Sequence, residues 1–87
     1  MLYRIYTERG NWTPKVLDAT SELFDGFTVM DTVGYWKKQS ETSMVIEIYT
    51  PKPEDSKVAQ LAGTIKRLGN QESVLVLKIQ TDTLEVQ

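Results

Sequence analysis

Ser43-Met44-Val45-Ile46-Glu47-Ile48-Tyr49-Thr50 carries the strongest alternation in the chain. One set of side chains is Met44, Ile46 and Ile48; the other is Val45, Glu47 and Tyr49. A period of two over such a run predicts a strand buried on one face. Leu2–Glu8 alternates in the same way, with Tyr3, Ile5 and Thr7 opposed to Leu2, Arg4, Tyr6 and Glu8. A strand over Phe27–Lys37 is also expected, with Gly34 marking a bulge or a close backbone approach. Its Met30 and Trp36 are placed outward. Lys37–Thr42 then reads as a polar hairpin loop. Glu72–Gln80 gives the last long strand, and Thr83–Val86 either a short additional one or its continuation after a kink.

The period changes to 3.6 in two places. Val16, Leu17, Thr20, Leu23 and Phe24 form one helical stripe, with Thr13 as cap, Pro14 in the first turn and Trp12 stapling onto Leu17. Asp25-Gly26 ends it. Val58, Leu61, Ala62, Ile65 and Leu68 form the other stripe, opened by Glu54 and Asp55 and closed by Lys66, Arg67 and a Gly69 cap. Gly63, inside that helix, suggests close packing on the sheet. The order is strand, helix, strand, strand, helix, strand. Two right-handed strand–helix–strand units around a hairpin predict an α+β, ferredoxin-like βαββαβ sandwich. Its four-stranded antiparallel sheet has the first and third strands central and both helices on one face. Residues 1–87 read as one domain.

Composition narrows the chemistry. The chain has no cysteine and no histidine, so a thiolate metal site and a histidine-activated nucleophile are both excluded. No catalytic residues, metal ligands or cofactor are assigned. The net charge is −2 and the pI about 5.0, which argues against affinity for duplex nucleic acid. No apolar run approaches a membrane span, and the start lacks the form of a signal peptide, so a cytoplasmic protein is expected.

With Ile5, Ile46, Ile48, Leu75 and Leu77 assigned to the core face, Arg4, Tyr6, Val45, Glu47, Tyr49, Val74, Val76 and Lys78 fall on the face without helices. Exposed apolar surface of this kind marks an interface. Tyr6, Val45, Tyr49, Val74 and Val76 are the expected contacts of a homo-oligomer or of a protein partner. A small anionic, nucleotide-like ligand is the other expectation, with aromatic rings stacking a flat group and Lys37, Lys38 and Arg4 meeting the charge. Its candidate residues are Arg4, Tyr6, Trp36, Lys37, Glu47, Tyr49, Gln71 and Glu72. An enzymatic alternative groups Arg4, Glu8 and Glu47 as an isomerase- or lyase-type acid–base site.

Phe24-Asp25-Gly26-Phe27-Thr28-Val29-Met30-Asp31, running into Gly34-Tyr35-Trp36, resembles a family of small uncharacterised bacterial and phage proteins. Asn70-Gln71-Glu72-Ser73-Val74-Leu75 is similar to the start of that family's last strand. The resemblance implies a ferredoxin-like fold and carries no established activity. Short, cysteine-free and without an obvious enzyme site, the chain also looks like compact phage accessory proteins, some of which sequester a host signalling nucleotide or bind a host defence protein.

Overall fold

A computed structural model of the protein describes residues 1–84. The elements are β1 (Leu2–Glu8), α1 (Thr13–Leu23), β2 (Thr28–Trp36), β3 (Gln39–Tyr49), α2 (Asp55–Leu68) and β4 (Leu75–Ile79). They form one antiparallel sheet in the order β2-β3-β1-β4, with β1 and β3 central. Both helices back one face of it, the ferredoxin-like α+β arrangement.

The backed face follows from register. Tyr3 lies opposite Ile48, Ile5 opposite Ile46 and Thr7 opposite Met44, while Val29 flanks Ile46 from β2. These side chains close over Val16, Val58, Leu61 and Ile65 from the helices to form the core. Tyr3 brings a hydroxyl to the edge of this core. Its hydroxyl donates to Asp55 Oδ1 at 2.5 Å and accepts the Glu54 backbone N–H at 2.9 Å, so it holds the start of α2. Lys78 Nζ reaches the other Asp55 oxygen at 2.8 Å.

β4 faces the opposite way from the sequence expectation. Ile5 lies opposite Val76, and Tyr3 opposite Lys78. Val74 and Val76 therefore pack beneath the helices, and Leu75 and Leu77 face outward. Both alternating sets of this strand are apolar, so hydrophobicity does not choose between them. On the helix side Lys78 runs its stem along the sheet while its amine meets Asp55. Val74 and Val76 are thereby lost as contacts on the open face. Val45 does lie on that face, between Tyr6 and Met30 in register, but it is only 5% exposed and offers little surface.

The connection between β2 and β3 is shorter than expected. Lys37 and Lys38 take the left-handed backbone, with φ of 50° and 67°, between the paired Trp36 and Gln39. This is a two-residue turn of the type that requires positive φ at both centres and usually carries Asn-Gly. Residues 39–42 are therefore strand, and β2 and β3 run beyond the end of β1 as a projecting arm. Pairing is continuous through Gly34, with no bulge.

Several smaller expectations change. Thr13 is the first helical residue, and its hydroxyl accepts from the Gly10 N–H, while Trp12 occupies the cap position without a side-chain bond. The Trp12 ring fills the space over Gly10 and Gly69, where a Cβ would stand 2.0 Å and 2.9 Å from ring atoms. Gly69 does cap α2, but the left-handed residue is Asn70, with φ of 49°. Bonds from Asn70 N to Arg67 O and from Gln71 N to Lys66 O close that helix end. Gly63 is exposed with no neighbour where a Cβ would lie, so it mediates no close packing. Of the expected strand over Thr83–Val86, residues 83–84 carry no regular structure and the rest lies outside the described residues.

Candidate functional site

A cleft of about 610 Å³ opens where the hairpin arm projects past β1. Three segments converge on it. The end of β1 supplies Tyr6 and Glu8. The arm supplies Gly34, Tyr35, Trp36, Lys37, Glu41 and Ser43. The turn from α2 into β4 supplies Asn70, Gln71, Glu72 and Ser73. Each segment is fixed by a feature already described: pairing of β1 with β3, the tight Lys37-Lys38 turn, and the left-handed Asn70.

Gln71 ties two of these segments together. Its Nε2 donates to Thr7 Oγ1 at 2.8 Å, and its Oε1 accepts the Glu8 N–H at 3.4 Å. The amide is thus spent on holding the loop against β1. Glu8 and Glu41 meet across the cleft floor. A hydrogen bond shared with the Glu41 carboxyl, then burial, then the Glu41 charge push the Glu8 carboxyl above its ordinary range. Gly34 leaves ordinary contact room over Ser43 and Glu41, so this floor is not roofed by a side chain of β2. At the mouth, Trp36 is largely exposed, and Lys37 Nζ lies 5.8 Å from its ring centroid.

The expected ligand residues divide in two. Tyr6, Trp36, Lys37, Gln71 and Glu72 line the cleft. Arg4, Glu47 and Tyr49 lie elsewhere on the open face. Arg4 Nε meets Glu47 Oε2 at 2.9 Å, directly across the β1–β3 pair. Glu8 is four positions further along β1, about 13 Å away at strand rise, and its partner is Glu41. The grouping of Arg4, Glu8 and Glu47 as one acid–base site is therefore not formed. Tyr49 is exposed at the far end of the face, with its hydroxyl 3.4 Å from Thr83 Oγ1. Reading residues 37–42 as a loop missed Glu41, although extending the Ser43, Val45, Glu47 alternation backward would have placed it on the open face.

Tyr6, Met30, Trp36, Tyr49, Leu75 and Leu77 are large apolar side chains exposed on that face among the described residues. Among the described residues no helix is long and apolar enough to cross a membrane, and no group of three or more acidic side chains is placed to hold a metal ion.

No protein-family model matches the chain, and no curated protein matches it. Solved structures do. A DUF3240 family protein from Shewanella baltica is similar with a TM-score of 0.67 at 16% identity, over 97% of this chain and 96% of that one. The divalent cation tolerance protein CutA1 from Thermus thermophilus aligns with a TM-score of 0.56 at 12% identity, over 94% and 85% of the two chains. A de novo designed protein, Foldit4, reaches the same TM-score at 15% identity, over 93% and 94%. A natural protein and a designed one match equally well, so the likeness reports architecture: this chain has the ferredoxin-like fold of these structures.

Proposed function

We propose that the protein is a non-enzymatic binding protein whose ligand is a small, flat-ringed anion of the nucleotide kind, held in the cleft beside the hairpin arm. The hairpin tip carries this reading. Two consecutive lysines occupy left-handed positions that Asn-Gly would fill without strain. They set positive charge at the end of an arm that also presents Trp36. Stacking on an exposed aromatic ring contributes about 1–3 kcal/mol per base. Phosphate would sit outside, near Lys37 and Lys38. The ring would lie inward by Tyr6, where Glu8 and Glu41 can accept from exocyclic amino groups. Sequestration of such a ligand, as a phage-encoded anti-defence protein would perform it, is the finer form of the proposal. The lack of histidine and cysteine is compatible with binding without turnover.

A second reading rests on the open face. Its exposed Tyr6, Tyr49, Met30, Leu75 and Leu77 suit a protein partner, a host protein included.

Thermal unfolding with a panel of nucleoside mono-, di- and cyclic phosphates separates the two. A ligand at a hundred times its Kd stabilises by about 2.7 kcal/mol, raising Tm by about 10 °C or more in a domain of this size. Trp36→Ala should weaken binding about tenfold or more, and the ligand should be recovered unaltered. No response across the panel contradicts the cleft reading, and a chemically changed ligand contradicts the non-enzymatic one.

A further inference from the structure

We propose that β2 pairs with β2 of a second copy of this chain, antiparallel about a two-fold axis at Thr32, joining the two four-stranded sheets into one. The inference stands on the edge strand and does not depend on the ligand reading.

β2 is nine residues long and forms an outer edge of the sheet. It contains no proline and one charged side chain, Asp31, which is already paired with Arg9. Among the described residues no strand covers its outer side. Natural sheets usually blunt such an edge with charge, proline, a bulge or a covering segment. This one instead exposes Val33, Tyr35 and Trp36, at 68%, 76% and 65%.

The hairpin turn fixes which backbone groups point outward. In a two-residue turn the closing pair, Trp36 and Gln39, is hydrogen bonded, and the pattern alternates along the strands. Even-numbered residues of β2 therefore bond inward to β3. The N–H and C=O groups of Val29, Asp31, Val33 and Tyr35 point out. The bond from Arg9 N to Thr42 O, which shows Thr42 facing β1 and away from β2, agrees with this phase.

A two-fold at Thr32 sets Asp31 against Val33 of the other copy, and Val29 against Tyr35. Each pairing joins two outward-pointing residues, so every free group on both edges finds a partner, in about eight bonds. Side chains fit the same register. Met30 falls opposite Gly34, where no side chain competes for the space. Tyr35 covers Val29, and Trp36 covers Thr28. β4, with five residues, would leave much of β2 unpaired if it were the partner instead.

Thr32 pairs with its own copy at a position without hydrogen bonds, where Cα atoms stand about 4.5 Å apart. That is within disulfide reach. The chain has no cysteine of its own, so Thr32→Cys should form a covalent dimer under mild oxidation. Thr28→Cys should not, because its two copies would lie about 26 Å apart. Sedimentation of the unmodified chain should give twice the 9.9 kDa chain mass. Val33→Pro removes an outward N–H, which the fold itself does not use. It should weaken the dimer about tenfold or more while the monomer stays folded. A chain that remains monomeric at all concentrations overturns the proposal. So does a dimer that Val33→Pro leaves intact and Thr32→Cys fails to cross-link, since it must form elsewhere.

Discussion

Ile46→Ala is expected to cost about 4 kcal/mol, the upper part of the range for truncating a buried aliphatic side chain. Ile46 is fully buried at the middle of the sheet. Ile5 flanks it on one side and Val29 on the other, with the helices above. Three well-packed neighbours limit how far the cavity can collapse. For 87 residues total stability is about 4–13 kcal/mol, so this one change removes a large share of it. Tm should fall by about 20 °C. Val45→Ala is the matching control. It deletes a side chain that is nearly as buried, but on the open face, where exposed Tyr6 and Met30 can settle into the gap. Its cost should be about 1 kcal/mol. Urea titration reads both values, and an unchanged slope would show that the unfolded state is the same. Equal costs would mean that the two faces are not distinguished as described.

Tyr3→Phe is expected to cost about 2 kcal/mol at neutral pH, because the hydroxyl makes one charge-assisted bond to Asp55 and satisfies the Glu54 N–H. The loss should depend on pH in two windows. Lys78, and then the Tyr3 hydroxyl, hold the Asp55 carboxyl below its ordinary range. An acid whose folded value is depressed contributes stability above its unfolded value, about 3.9, and loses it as pH falls through the folded one. The gap between parent and variant should therefore narrow below about pH 4. Burial, and then the bond to Asp55, push the Tyr3 phenol up. The folded state then holds the proton that the unfolded chain releases, so parent stability falls as pH rises past about 10. Phenylalanine has no such proton, and the gap should narrow there too. Unfolding curves from pH 3 to 11 test both; a gap that is flat with pH would contradict the hydroxyl's role.

The helices and the two central strands were legible because each shows one clean period. Val58, Leu61, Ile65 and Leu68 repeat as a helix must, and Ile5, Ile46 and Ile48 alternate with sets that include Arg4 and Glu47. β4 was not legible, because Val74, Val76 and Leu75, Leu77 are equally apolar. What distinguishes its faces is tertiary: Lys78 meets Asp55, 23 residues away in sequence, on the helix side. The hairpin was misread for a different reason. Its turn chemistry is carried by lysines rather than by Gly or Asn, so nothing marked residues 37 and 38 as left-handed. The cleft inherits both outcomes. Tyr6, Trp36, Lys37, Gln71 and Glu72 could be named from strand ends and loop position. Glu41 was hidden by the misplaced loop, and Arg4 and Glu47 satisfy each other across the sheet.

The division of the sheet into a helix-backed face and a bare one underlies the cleft and the partner surface alike, and β4 is where it can be checked most directly. Single thiols introduced by Leu75→Cys and by Val76→Cys, in a chain otherwise free of cysteine, can be timed against an alkylating reagent in the native and the denatured protein. Leu75 is 57% exposed and Val76 packs toward the core. The thiol at 75 should react nearly as fast in the native protein as in the denatured one, and the thiol at 76 many times more slowly. Protection at 75, or rapid native labelling at 76, would contradict the fold's open face.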